Sequence, residues 1–379
     1  MYFNQSININ DDNIIKFSKK IKGKKERNPG IESIRILGQY AIIVHHIILY
    51  AKLLNKYNHF PQVQLLNIMS FWHVSSFGMI SGIIGNKTHK YSNLFYLWYC
   101  TLFYSVSIHL IYKIIYPNKV KIYKIFEFFF PVIFKQYWYF TMYFGLYLFL
   151  PLINKGLSLV NKSELKIIIL SIIGILIIWR DFILNRGDPF IFNSGYSIIG
   201  LLLFYIIGAY LEKYIIGNYN SKIFFIIYIL IYISSTYLCY YLYFYKGNYL
   251  SIIKLKMLFP RRISSIPNML QSISIILIFT QIKYNKYLGK IISFFGPLTF
   301  GVYLSHCHLH MTKIYYFLSF KKYPKSLPLN TLIYLIVLKG AAIFFICCAI
   351  DYVRYLIFKI VRIKETCFFI EKMIKYILK

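Results

Sequence analysis

"IFFIIYILIYISSTYLCYYLY", residues 223–243, runs for twenty-one residues without a charged side chain. A hydrocarbon layer about 30 Å thick needs roughly 20 apolar helical residues per crossing. The run does not alternate polar with apolar, and it is too long for a barrel strand. It therefore reads as a membrane-spanning helix, which satisfies its own backbone in lipid. Comparable runs recur throughout the 379 residues, of which 58% are hydrophobic and 20% aromatic. The chain reads as an all-α, polytopic membrane protein with about ten transmembrane helices. They are expected near residues 32–53, 65–85, 93–115, 137–153, 165–180, 195–212, 222–244, 266–282, 291–311 and 331–358. Pro131 interrupts the apolar segment 122–134, which is expected in the interface. A short surface helix is expected over 371–379.

The formal net charge is +32. Lys and Arg gather between the apolar runs, where they meet anionic headgroups, so the partner they indicate is the lipid bilayer and not nucleic acid. With the N-terminus inside, 24 of them fall on the inner side and 18 on the outer. That bias, with the basic stretch "KFSKKIKGKKER" at residues 16–27, favours both termini facing the cytoplasm. No cleavable signal peptide is expected. The division is a basic N-terminal segment, 1–30, a membrane domain, 31–360, and a cytoplasmic tail, 361–379. Six cysteines show no C-x-x-C pairing, so neither a disulfide framework nor a metal site is expected.

Ionisable residues inside the apolar runs carry the functional signal. In "SIRILGQYAIIVHHIILY", residues 33–50, Arg35 and His46 are eleven residues apart. Eleven steps of roughly 100° are about three turns, so both lie on one helix face, separated by roughly 16 Å along the axis. His45 points about 80° away. A guanidinium near the cytoplasmic end suits a phosphate-bearing ligand. An imidazole deeper in suits proton removal from a hydroxyl. The bland alternative has Arg35 snorkelling to headgroups and His46 bonding between helices.

The motifs elsewhere bear on that choice. "RNPGIESIRILGQYAIIVHH" (27–46), "VSSFGMISGII" (74–84), "QYWYFTMYFGLYLFLPLIN" (136–154), "LLLFYIIGAYLEKY" (201–214), "FGPLTFGVYLSHCHLH" (295–310) and "AIDYVRYLIFK" (349–359) occur in that order. Together they resemble the acyltransferase-3 family of integral membrane acyltransferases. Ser75 replaces a common proline and Ile83 a common aromatic residue, which leaves the acceptor open. The resemblance implies O-acylation of an envelope or surface polysaccharide with cytoplasmic acyl-CoA, usually acetyl-CoA, as cosubstrate and no bound cofactor. It implies a multi-pass protein of the bacterial inner membrane. Arg35 would hold donor phosphate, and His46 would be the general base.

Four further residues are candidates. Ser81 and Gly82 either let helices approach closely or admit the donor's thin arm. Tyr303 and His306 are acceptor-side candidates. His306 and His310, four residues apart, are expected to share a face, but no carboxylate or cysteine set accompanies them, so metal ligation ranks below a structural or acceptor role. His73 is read as interfacial. Asp351 and Arg354 read as a structural ion pair. Lys339 is left open between ion pairing, snorkelling and a polar lining.

Overall fold

The computed structural model describes residues 27–56, 60–85, 90–117, 125–179, 190–244, 263–311 and 326–377, with Asp188, Phe320, Tyr323 and Pro324. The basic stretch before Arg27 and most of the 181–192 loop lie outside them. The described residues are helical and contain no strand. Seven spans are long and apolar enough to cross a bilayer: Pro29–Tyr50, Pro61–Gly85, Tyr91–Ile115, Trp138–Leu159, Lys222–Phe244, Lys286–His306 and Leu329–Ile360. Where three further crossings are expected, the chain forms shorter helices, Lys162–Ile173 with a π-helical continuation to Trp179, Ile198–Tyr214 and Ile266–Gln281.

We number the principal helices α1 (Pro29–Tyr50), α2 (Phe60–Met69), α3 (His73–Gly85), α4 (Tyr91–Ile115), α5 (Trp138–Leu159), α6 (Lys162–Ile173), α7 (Ile198–Tyr214), α8 (Lys222–Phe244), α9 (Ile266–Gln281), α10 (Lys286–Phe295), α11 (Thr299–His306), α12 (Leu329–Ile360) and α13 (Ile363–Ile377). Local chemistry starts several of them. Asn28 caps α1 by accepting from the Gly30 amide at 2.9 Å, and Pro29 occupies the first turn, where its missing N–H costs nothing. Asn161 and Glu164 form a reciprocal capping box on α6. Asn285 caps α10 through the Leu288 amide at 2.8 Å.

Helix α1 is central, packing against α3, α9, α10, α11 and α12. The rim is inverted relative to a water-soluble protein: Leu152, Ile223 and Ile360 are all more than two-thirds exposed. Such a surface is stable against hydrocarbon, where apolar side chains carry no penalty.

Helices α3 and α7 form the closest pairing. A Cβ added at Gly82 would stand 2.0 Å from the Tyr205 carbonyl oxygen, and one at Gly208 would stand 1.9 Å from that of Met79. Only a residue without a side chain lets these backbones meet, the small-residue device of membrane helix packing. Gly82→Ala is expected to destabilise by about 1–3 kcal/mol through overpacking. Gly289→Ala, with nothing within 4 Å, should be neutral or stabilising. Thermal melts of the two variants in detergent test the contrast, and equal midpoints would refute it.

Polar groups interrupt the span between α2 and α3. Ser70 Oγ donates to the Asn67 carbonyl at 2.6 Å, and Ser76 Oγ donates to that of His73 at 2.8 Å. Gln64, Asn67, His73 and Ser75 are also buried there. A broken helix is tolerated at membrane depth when protein surrounds it. His73 is 6% exposed and packed inside the protein.

Other expectations are refined. Asp351 and Arg354 form a two-pronged ion pair, with both N–O distances 2.9 Å. Tyr104 Oη donates to Asp351 and Arg354 Nη1 donates to Tyr96 Oη, each at 2.9 Å, so the pair also joins α12 to α4. The Lys339 ammonium lies over the Phe320 and Tyr323 rings at 4.7 and 4.9 Å, a cation–π setting. The terminal surface helix starts at Ile363, earlier than expected. Its Glu371 accepts from the Ser92 amide at 3.0 Å, docking α13 on the first turn of α4.

Candidate active site

One face of α1 carries Arg35, Gln39 and His46. Gln39 is one turn from Arg35 and two turns from His46, so the three share a stripe. The sequence reading passed over Gln39, whose side chain is 2% exposed and whose Nε2 is 3.5 Å from His306 Nδ1.

Arg35 is partly open, with 28% of its side chain exposed. Its Nη1 donates to Glu32 Oε1 at 2.9 Å, and Arg27 Nη1 is 3.7 Å from the same oxygen. Glu32 is 3% exposed and was not singled out from sequence. Its three-residue spacing from Arg35 was the available signal. The carboxylate holds one edge of the guanidinium and limits its swing, leaving other donors for a ligand.

The Arg35 charge acts on the hydroxyls of Tyr139 and Tyr143 from α5, and both hydroxyls interact with Ser81. Ser81 Oγ also donates to the Phe77 carbonyl at 2.9 Å. Arg35 and Ser81 thus border one tyrosine-lined wall. Gly82 does not join them, since it faces α7. Tyr139 continues the wall: its ring centroid is 6.3 Å from that of Tyr303, which is in turn 5.9 Å from that of Tyr137. The Tyr303 hydroxyl is buried without a hydrogen-bond partner among the described residues.

His46 and His306 meet at the other end of the stripe, with ring centroids 5.4 Å apart. His306 Nδ1 donates to the Val302 carbonyl at 2.6 Å, which fixes its tautomer and leaves Nε2 as an acceptor. Nε2 faces Cys307 Sγ at 3.2 Å, and the same sulfur is 3.9 Å from His46 Nδ1. Cys307 was not read as a site residue from sequence. It caps the end of α11, and only the packing of α11 on α1 brings it to His46.

His45 belongs to a different set of contacts. Its Nδ1 donates to Asn67 Oδ1 at 2.7 Å, and its ring meets Phe71 and His73 at 5.6 Å. The expected pairing of His306 with His310 does not form, because α11 ends at His306. His310 turns away, stacking on Tyr112 at 4.1 Å and meeting His109 through a 3.1 Å nitrogen contact.

The fold and these contacts define a helical membrane protein with an arginine and a histidine aligned on its central helix. A family model described as an acyltransferase domain matches residues 28–352. The chain belongs to the acyltransferase-3 family, and it is a membrane acyltransferase. No curated protein and no solved structure matches it.

Proposed function

We propose that the protein moves an acyl group, acetyl by preference, from cytoplasmic acyl-CoA to a hydroxyl of an envelope or surface polysaccharide. The observation that carries this reading is the alignment of Arg35 and His46 along α1, with the Tyr139 and Tyr143 hydroxyls within reach of the Arg35 charge. Their axial separation of roughly 16 Å is on the scale of an extended phosphopantetheine arm. With phosphate on the Arg35 fork, the thioester end of the donor reaches the depth of His46. Ser81 and the tyrosine hydroxyls line its course.

His46 takes the proton from the acceptor hydroxyl as its oxygen attacks the thioester carbon. The carbon–sulfur bond breaks, and the CoA thiolate leaves with a proton returned by the imidazolium. His306 and Tyr303 stand on the acceptor side and position the sugar. Burial in a low-dielectric interior keeps competing water from the thioester.

Membranes containing the protein should transfer radiolabel from acetyl-CoA to polysaccharide in a base-labile ester. Failure to consume the label, with the saccharide still crossing the membrane, would identify a transporter. We further infer ten crossings with both termini in the cytoplasm, in a bacterial inner membrane. Cysteines introduced at the two termini should react only with membrane-permeant reagents. An externally labelled terminus would refute that topology.

A further inference from the structure

Cys307 stands between two imidazoles, and the reaction proposed above makes no use of its thiol. We propose that His46, His306 and Cys307 form a binding site for a thiophilic divalent cation, Zn²⁺ by donor type, and that its occupancy stops acyl transfer. One donor atom from each of the three residues lies within 4.8 Å of the others. Two imidazoles and a thiolate suit zinc-like metals, whereas Ca²⁺ and Mg²⁺ require oxygen ligands.

The His306 ring is already oriented as a ligand. Its Nδ1–H is held by the Val302 carbonyl at 2.6 Å, the outer hydrogen bond that metal-bound imidazoles ordinarily keep. Nε2 thereby keeps its lone pair, and it lies 3.2 Å from the sulfur. Three protein ligands leave one tetrahedral position open. Among the described residues no carboxylate joins the three, so the donor set is nitrogen and sulfur alone.

His73 supplies independent support. It interacts electrostatically with His46 and His306, and its ring is 5.6 Å from that of His45. It is 6% exposed, and neither ring nitrogen has a hydrogen-bond partner among the described residues. Buried polar groups in that condition mark sites that bind a ligand, ion or water. A cation carrying water in its open position provides such a partner within the cluster.

On binding, the Cys307 thiol releases its proton to solvent as the metal–sulfur bond forms, and both imidazoles bind neutral. A His46 lone pair given to the metal cannot accept a proton from substrate. The inhibitory limb rests on the reading of His46 as the general base, whereas the binding limb does not.

The test uses the full-length protein in detergent, stripped with chelator and titrated with Zn²⁺. Metal retained after desalting measures binding, and Cd²⁺ reports sulfur ligation through its thiolate charge-transfer band. One metal per chain is expected. Affinity should fall at least tenfold in Cys307→Ala and His306→Ala. It should be unchanged in Cys239→Ala, whose thiol faces Asn268 from α8. Wild-type transfer should drop at least tenfold at saturation and return with chelator. In Cys307→Ala the rates with and without zinc should be equal. Cys307→Ser serves if the alanine variant is not monodisperse. No retained zinc, or equal retention by the Cys307 variants, overturns the site. Zinc held through Cys307 with undiminished transfer overturns the inhibition. Because binding is read directly, that outcome places the failure on His46 as base.

Discussion

His46→Ala reduces acyl transfer by a factor on the order of 10² to 10⁴, the usual contribution of a positioned general base. His45→Ala costs less than about tenfold, because a group that takes no proton from substrate contributes none of that factor. The two residues are adjacent, alike in chemistry and at almost the same depth, so neither depth nor polarity can explain a difference. What separates them is direction. His46 faces His306 and Cys307 at the end of the Arg35 stripe. The Nδ1 of His45 is bonded to Asn67 on α2. The measurement is transfer from labelled acetyl-CoA, normalised to folded protein in the membrane. Equal losses at both positions would defeat the assignment. Full activity in well-expressed His46→Ala would remove the proposed base.

Arg35→Lys raises the KM for acyl-CoA by about 10- to 100-fold and leaves kcat nearly unchanged. The substitution keeps the charge and loses the planar fork. Hydrogen bonds to charged groups are worth roughly 1.5–3 kcal/mol each, and 1.4 kcal/mol is about tenfold in affinity. Glu32→Gln should move KM in the same direction, since the Glu32 carboxylate holds the guanidinium at 2.9 Å. An unchanged KM in Arg35→Lys would return Arg35 to the role of a headgroup anchor.

Much of the architecture is legible in the residues themselves. Long uncharged runs such as 223–243 specify helices because hydrocarbon allows the backbone no other open-ended solution. The eleven-residue interval puts Arg35 and His46 on one face by helical geometry alone. Spacing likewise anticipates the Asp351–Arg354 pair, since groups three apart on a helix are neighbours. The runs expected at 165–180, 195–212 and 266–282 hold the helices Lys162–Ile173, with its continuation to Trp179, Ile198–Tyr214 and Ile266–Gln281, within a few residues of the expected bounds.

By itself, then, the sequence determined an all-α membrane protein and the Arg35–His46 stripe, because bilayer thickness and helical period act on one segment at a time. Tertiary structure alone decided the partners. Glu32 engages Arg35, Asn67 takes His45, Tyr139 and Tyr143 meet Ser81, and Gly82 serves the contact with α7. His73 is buried among protein neighbours, and Cys307 came from 261 residues away to lie against His46. Helical periodicity specifies which side of a helix a residue occupies. Which neighbour faces that side depends on how distant helices pack, and in uniformly apolar runs close packing and small residues decide it, because lipid is as apolar as the helices themselves.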